Sequence, residues 1–184
     1  NTRLDNYYNF VWSKLPKNKW IIKVDGDHIW HTTKTIELCK LPIRKKDCVI
    51  LNRINLHCHN GKCYIHKARP FAEGGDSWII YNRNIHFEFW RGWINDQFSA
   101  YEVLHLPKKE RKRILAPLTN WHFPHIKNQR SFNPTEWILM QDFDFKKYFL
   151  EHNMQGRVAD EMLDEEFILR SFNNFNLQGN QLLP

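Results

Sequence analysis

The sequence predicts an α/β protein, a mixed sheet carrying helices and followed by a helical C-terminal segment. Three observations predict it. An amphipathic helical stretch leads directly into an unbroken hydrophobic strand, Lys19-Trp20-Ile21-Ile22-Lys23-Val24. A hairpin is written around Asn60-Gly61, the pair preferred in a two-residue type I′ turn because both positions need φ > 0. Beyond residue 132, apolar residues return at helical spacing. At 184 residues the chain has the length of one domain, at most two small ones.

The elements follow in order. Residues 5–14 read as a helix: Asp5 can cap it, Tyr8, Val11, Trp12 and Leu15 fall on one face, and Pro16 ends it. The strand at 19–24 is apolar enough to be buried. Thr32 or Thr33 can cap a short helix reaching about Lys40. The hairpin arms cover 47–58 and 63–68, and further strands are expected at 78–82, 85–90 and 101–105. Lys108 to Leu115 reads as a charged helix, and 119–126 as extended chain around Pro124. Glu136 to Asn153 and Val158 to Phe175 read as helices, the second amphipathic through Met162, Phe167, Ile168 and Phe172. From Asn173 the chain is polar and is expected to fray.

Composition excludes several classes. Hydrophobic residues at 42% and charged residues at 26% do not describe a wholly disordered chain. No apolar run reaches the 18 or so residues that a membrane-spanning helix needs. Four cysteines, Cys39, Cys48, Cys58 and Cys63, are too few to build the fold from disulfides, so a reduced, cytoplasmic setting is expected. The chain starts at Asn1 with no signal segment, which reads as a beginning in mid-protein. The net charge of +7 conceals an asymmetry. Residues 132–184 hold four Lys/Arg against nine Asp/Glu, a net of −5, which leaves +12 on residues 1–131. Such a basic body suits an anionic partner.

Four constellations carry possible chemistry. Asp25-Gly26-Asp27 closes the hydrophobic strand, where ligands of open α/β sheets gather. Two carboxylates there, on one side of an extended chain, offer hard oxygen ligands to Mg²⁺ or Mn²⁺. Gly26 would let the backbone turn and come close to a ligand. The competing reading is a strand-ending turn with solvated carboxylates. Glu73-Gly74-Gly75-Asp76-Ser77-Trp78 reads as a glycine turn that holds Asp76 at a pocket edge as a possible general base, or as a plain turn with a capping Asp. Asn120-Trp121-His122-Phe123-Pro124-His125-Ile126-Lys127 offers imidazoles to a metal and a lysine to a phosphate. Finally, His57-Cys58-His59, Cys63 and His66 resemble a zinc set, but the hairpin register puts Cys58 opposite Cys63 on one face and the histidines on the other. A cross-strand thiol pair is expected instead. The aromatic residues Trp30, Trp78 and Trp121 beside polar neighbours are either core or platforms for a sugar or base.

Taken in order and spacing, these segments resemble the bacterial β-1,4-N-acetylgalactosaminyltransferases that extend lipooligosaccharide, metal-dependent glycosyltransferases of the GT-A (Rossmann-like) fold. The resemblance rests on Leu4–Asn9, Trp20–Ile29, Gly75–Ile80 and His122–Lys127, and covers about residues 4–130. It implies that Asp25 lies near the nucleotide of a UDP-sugar and that Asp27 binds Mn²⁺ or Mg²⁺, with His122 as a third ligand or phosphate contact. It further implies that Lys127 contacts the donor, Asp76 is the base for inverting transfer, and Trp78 and Glu73 flank a sugar. A GT-A domain usually carries a nucleotide-binding half before the Asp-x-Asp strand. Residues 1–131 are therefore expected to be the acceptor-side part of such a domain, incomplete at its N-terminus and weak toward UDP-sugar alone, with 132–184 as an acidic helical extension. The partners implied are a UDP-sugar, a glycan or glycolipid acceptor and an anionic membrane surface, with no nucleic acid. Two competing functions stay open at this level. One is a metal-dependent nuclease or phosphohydrolase, for which clustered Asp and His on a body of +12 would suit a polyanionic substrate; the other is a non-catalytic glycan- or membrane-binding remnant. The Lys108–Arg113 run reads first as a solvated helix face, and otherwise as a nucleic-acid or membrane-surface patch.

Overall fold

The computed structural model describes residues 4–83, 85–94, 97–105, 112–115, 118–127 and 132–175, with backbone alone at 73–76, 94, 97–102 and 112–115. The elements are α1 (Leu4–Lys14), β1 (Trp20–Lys23), β2 (His28–Trp30), α2 (Thr32–Cys39), β3 (Asp47–His59), β4 (Lys62–His66) and β5 (Phe71–Tyr81). There follow β6 (His86–Ile94), β7 (Gln97–His105), β8 (Lys112–Leu115), β9 (Asn120–His122), β10 (Trp137–Leu139), α3 (Phe145–Glu151) and α4 (Glu165–Asn174). The expected mixed α/β architecture is present: β3 and β9 pair in parallel, whereas β2–β9, β3–β4 and β4–β10 are antiparallel. No helix among the described residues is long and apolar enough to cross a membrane.

The chain forms two compact units. One gathers Asn1–Ile22, Ile43–Val49 and Ile79–Ile114; the other gathers Lys23–Pro42, Ile50–Trp78 and Leu115–Pro184. Residues 115–131 thus share a unit with the acidic tail.

In the first unit β6 and β7 pair without interruption from His86↔His105 to Ile94↔Gln97. Helix α1 covers the Phe87 side of β6. The Asn9 amide brackets that residue, donating from Nδ2 to the Phe87 carbonyl at 2.8 Å and accepting the Phe87 amide at 2.7 Å. Tyr8 stacks on the Phe87 ring at 4.8 Å. Asp5 lies inside the first turn and is buried, not in front of the helix as a cap. Its charge still suits the positive end of the helix dipole. Strand β1 alternates exposed and half-buried positions instead of being buried, because it is an edge strand next to β5. Of the charged helix expected at 108–115, the described part, Lys112–Leu115, is instead a strand on β3, and residues 106–111 lie outside the described positions. Backbone pairing available from a neighbouring strand overrides the weak helical preference of this segment.

In the second unit one ladder sets the arrangement. Strand β9 lies between β2 and β3, so Ile29, Trp121 and Ile54 stand side by side across three strands. All three are buried. They pack with Leu56, Ile65, Phe123 and, from the tail, Met140, Met162, Ile168 and Phe172 in a single core. The Trp121 indole Nε1 donates to the Met162 carbonyl at 3.0 Å. The β3–β4 turn is as expected, with Asn60 at φ 49° and Gly61 at φ 69°. Cys58 and Cys63 are directly paired, their sulfurs 3.2 Å apart.

The tail departs from its expected form. The helix read over 136–153 is broken: Trp137-Ile138-Leu139 pairs with β4, and α3 starts only after Asp144, whose carboxylate accepts the Lys147 amide at 2.9 Å. A three-residue apolar run fits a strand as well as a helix, and the open edge of β4 decides the matter. Likewise α4 begins at Glu165, capped by Asp164, not at Val158. Helix α2 is capped by His31, whose Nδ1 accepts the Lys34 amide at 3.3 Å, not by a threonine.

Because Ile168 is fully enclosed, Ile168→Ala removes core packing and is expected to cost about 2–5 kcal/mol. Urea denaturation measures this; an unchanged midpoint would mean that the tail is a mere appendage.

Candidate functional site

The row next to the apolar one in the same ladder is polar. His28 is paired with His122, and His122 in turn with Asn55, across β2, β9 and β3. Side chains alternate along a strand, so this row points away from the Ile29–Trp121–Ile54 core. Asp27, just before β2, joins the row. It is 1% exposed. Its Oδ2 lies 3.1 Å from His122 Nε2 and 2.6 Å from Lys127 Nζ. The Phe123 amide donates to the Asp27 carbonyl at 2.9 Å and ties the two segments together.

The protonation of this site follows from its hydrogen bonds. Asn55 Nδ2 donates to the Arg69 carbonyl at 2.7 Å, which turns Asn55 Oδ1 toward His122 Nδ1, 2.7 Å away. An amide oxygen only accepts, so Nδ1 carries the proton. His122 Nε2 is thereby left either to carry a second proton toward Asp27 or to present its lone pair to a cation. Burial by itself raises the Asp27 pKa and is the largest single influence. The hydrogen bonds from His122 and Lys127, with their charges, outweigh it and hold the carboxyl well below the usual carboxylate range. His28 is pushed down to about 4, first by burial and then by the charges of His122 and Arg53.

Some atoms of two side chains facing each other here have no hydrogen-bond partner. Asp27 Oδ1 and both His28 ring nitrogens are buried and make no hydrogen bond. Asp27 Oδ1 and His28 Nε2 are 3.9 Å apart. Orphaned buried polar atoms cost about 1–3 kcal/mol each. An oxygen and a lone-pair nitrogen at that separation fit a divalent cation between them. Asp27, His28 and His122 offer ligand atoms within 4.8 Å of one another. Asn55 would act as the outer partner that fixes the His122 tautomer for such an ion.

Of the residues singled out from the sequence, Asp27, His122 and Lys127 are therefore brought together. Asp25 is turned aside, its carboxylate paired with Lys23 Nζ at 3.0 Å, and it is not in the ligand group. The strand stops at Lys23, so the alternation expected to align Asp25 with Asp27 does not extend that far. Gly26 has an ordinary backbone conformation, and a Cβ there would meet nothing within 4 Å. The glycines of Glu73-Gly74-Gly75-Asp76 do not make a turn; they lie within the extended strand β5. The side chains of Glu73 and Asp76 lie outside the described positions. Trp78 is 3% exposed and Trp121 1%, so both rings are packed inside the protein and neither is offered as a sugar platform. His125 turns into an aromatic cluster with His57, Phe132 and Trp137. Beside this cluster lies a cavity of about 530 Å³, lined by His57, His59, Phe123, His125, Ile126 and Phe172 among others. Two residues of the site were missed. His28 was legible as the neighbour of Asp27, while Asn55 carries no signal until the β3–β9 register is known.

Comparison with protein families now supplies the class: the chain is a glycosyltransferase. Residues 1–176 match the model described as β-1,4-N-acetylgalactosaminyltransferase (CgtA), and the chain belongs to that family. The match runs through α3 and α4, so the tail is part of the family pattern, beyond the residue 130 at which the recognisable motifs stop. No curated protein and no solved structure matches the chain.

His57 gives a pH prediction. Burial, then the charges of His125 and His59, push it down to about 4 from an unfolded value of 6.5. Between those values the unfolded chain binds more protons, so stability rises with pH through this window and is lost on acidification. His57→Phe keeps a ring to stack on Phe132 and is expected to flatten the fall in Tm between pH 7 and pH 4.5. Thermal melts across that range measure it.

Proposed function

We propose that the protein catalyses metal-dependent, inverting transfer of N-acetylgalactosamine from a UDP-sugar to a glycan acceptor of bacterial lipooligosaccharide, on a GT-A fold. The observation that supports this most directly is the buried Asp27–His28–His122 group with its unpartnered Asp27 Oδ1 and His28 nitrogens, in a chain of a glycosyltransferase family.

In this reading Asp27, His28 and His122 hold Mn²⁺ or Mg²⁺, the two imidazoles favouring Mn²⁺ over the harder Mg²⁺. When bound, the cation neutralises charge on the departing diphosphate. Asn55 keeps Nδ1 of His122 protonated and so keeps Nε2 aimed inward. Lys127, 45% exposed at its side chain, is anchored on Asp27 and is free at the site mouth to meet a phosphate oxygen. Asp25 lies near the nucleotide, on the exposed side of the same turn. Asp76 takes the proton of the acceptor hydroxyl onto a carboxylate oxygen as that hydroxyl attacks the anomeric carbon. The sugar–UDP bond breaks on the opposite face, which inverts the centre. Glu73 contacts the acceptor sugar. The enzyme works at the cytoplasmic face of the inner membrane, where a body of net +12 is attracted to anionic lipid at about 1 kcal/mol per Lys or Arg near the surface.

Asp27→Asn, which preserves shape, is expected to abolish transfer from UDP-N-acetylgalactosamine to a lipooligosaccharide acceptor; full activity in that variant would end the proposal. Asn55→Leu is expected to weaken Mn²⁺ binding about 10–100-fold while far-UV circular dichroism is unchanged. Asp76→Asn is expected to lower kcat with little effect on the donor KM, measured by product formation at saturating acceptor.

A further inference from the structure

The β6–β7 hairpin carries a second group of metal-ligating side chains, in the other unit. His86 and Glu88 are two apart on β6, so they project from the same face. His105 lies directly opposite His86 on β7. Phe87, between His86 and Glu88, projects from the opposite face and is the residue that α1 covers through Asn9 and Tyr8. The histidine face is therefore the open one: the side chains of His86, Glu88 and His105 are 50%, 57% and 40% exposed.

The three side chains converge. His86 Nε2 is 2.8 Å from Glu88 Oε1, and His105 Nδ1 is 3.5 Å from the same oxygen. The two imidazole rings lie nearly parallel, centroids 4.7 Å apart. The three ligand atoms all fall within 4.8 Å of one another. Bonds of about 2.0–2.2 Å from one ion to imidazole nitrogens and a carboxylate oxygen need ligand atoms this close. The ladder supplies such spacing without rearrangement of the backbone.

We infer that His86, Glu88 and His105 form a surface site for a borderline divalent transition metal, with Zn²⁺ the best match. Two imidazoles and one carboxylate suit zinc and its neighbours, whereas Mg²⁺ and Ca²⁺ prefer oxygen-only sets. Three protein ligands leave a coordination position to solvent, so the site can hold the ion and still accept a further ligand. This site shares no residue with the Asp27 group, and the inference stands independently of the proposed transferase mechanism.

The test is zinc titration of the full chain at pH 7.5, by calorimetry and by metal analysis after dialysis. In the Asp27→Asn background one equivalent of Zn²⁺ is expected, unaffected by millimolar Mg²⁺. Adding His86→Ala and His105→Ala is expected to remove it, and Glu88→Gln to weaken it at least tenfold, with circular dichroism unchanged. Should the double variant not fold, the wild-type chain is read by NMR, where Zn²⁺ is expected to shift the His86 and His105 imidazole resonances together. Retention of the equivalent in a folded double variant, absence of zinc binding in the Asp27→Asn background, or unmoved His86 and His105 resonances would each overturn the inference.

Discussion

A carboxylate taken out of water must be neutralised where it stands, and Asp27 is such a carboxylate. Its charge is met by an imidazole and an ammonium that come from nearly a hundred residues further along the chain. The imidazole is in reach because β9 is inserted between β2 and β3, and the ammonium because the chain turns back over Pro124–Ile126 just after β9. The placement of β9 is therefore the constraint on which the candidate site depends. That placement is secured from the other face, where Trp121 is locked between Ile29 and Ile54 and hydrogen-bonded to the tail. Core and site are two adjacent rows of one three-strand ladder, and a slip of a single residue would exchange them.

Such a site is rigid by construction. His28, His122 and Asn55 stand on strands, and each His122 ring nitrogen has an assigned partner or target. A network of this kind fixes the tautomer before any ligand arrives, which is how a protein prepares a first shell at little cost in later reorganisation. Lys127 is the exception, more exposed and placed just after a 3₁₀ turn, and it is the member of the group best able to move.

Much of this was legible in the residues. The Asn60-Gly61 turn dictated its own geometry and with it the Cys58–Cys63 register. Asp27 was visible as a carboxylate at a strand end, and His122 and Lys127 as an imidazole and a lysine in one short segment around Pro124. What the sequence concealed was long-range. The strand Trp137–Leu139 looked like part of a helix, because its partner β4 lies seventy residues earlier. Asn55 sits within a hydrophobic strand and becomes meaningful only through its neighbour on β9. Asp76 and Trp78 looked like a turn because two glycines adjoin them, yet both lie within the extended strand β5, whose neighbours are β1 and β3. Local chemistry marks turns and caps well; register between distant strands is decided by tertiary packing.

The core behind the site also sets an order of events. Ile29 and Ile54 are synthesised well before Trp121, and the residues that seal all three, Met162, Ile168 and Phe172, are among the last described residues to be made. During vectorial synthesis the β2–β9–β3 ladder must therefore wait with its apolar row uncovered until α4 is available. Contacts so far apart in sequence form slowly, and the exposed row is a natural place for a holding chaperone to grip the nascent chain.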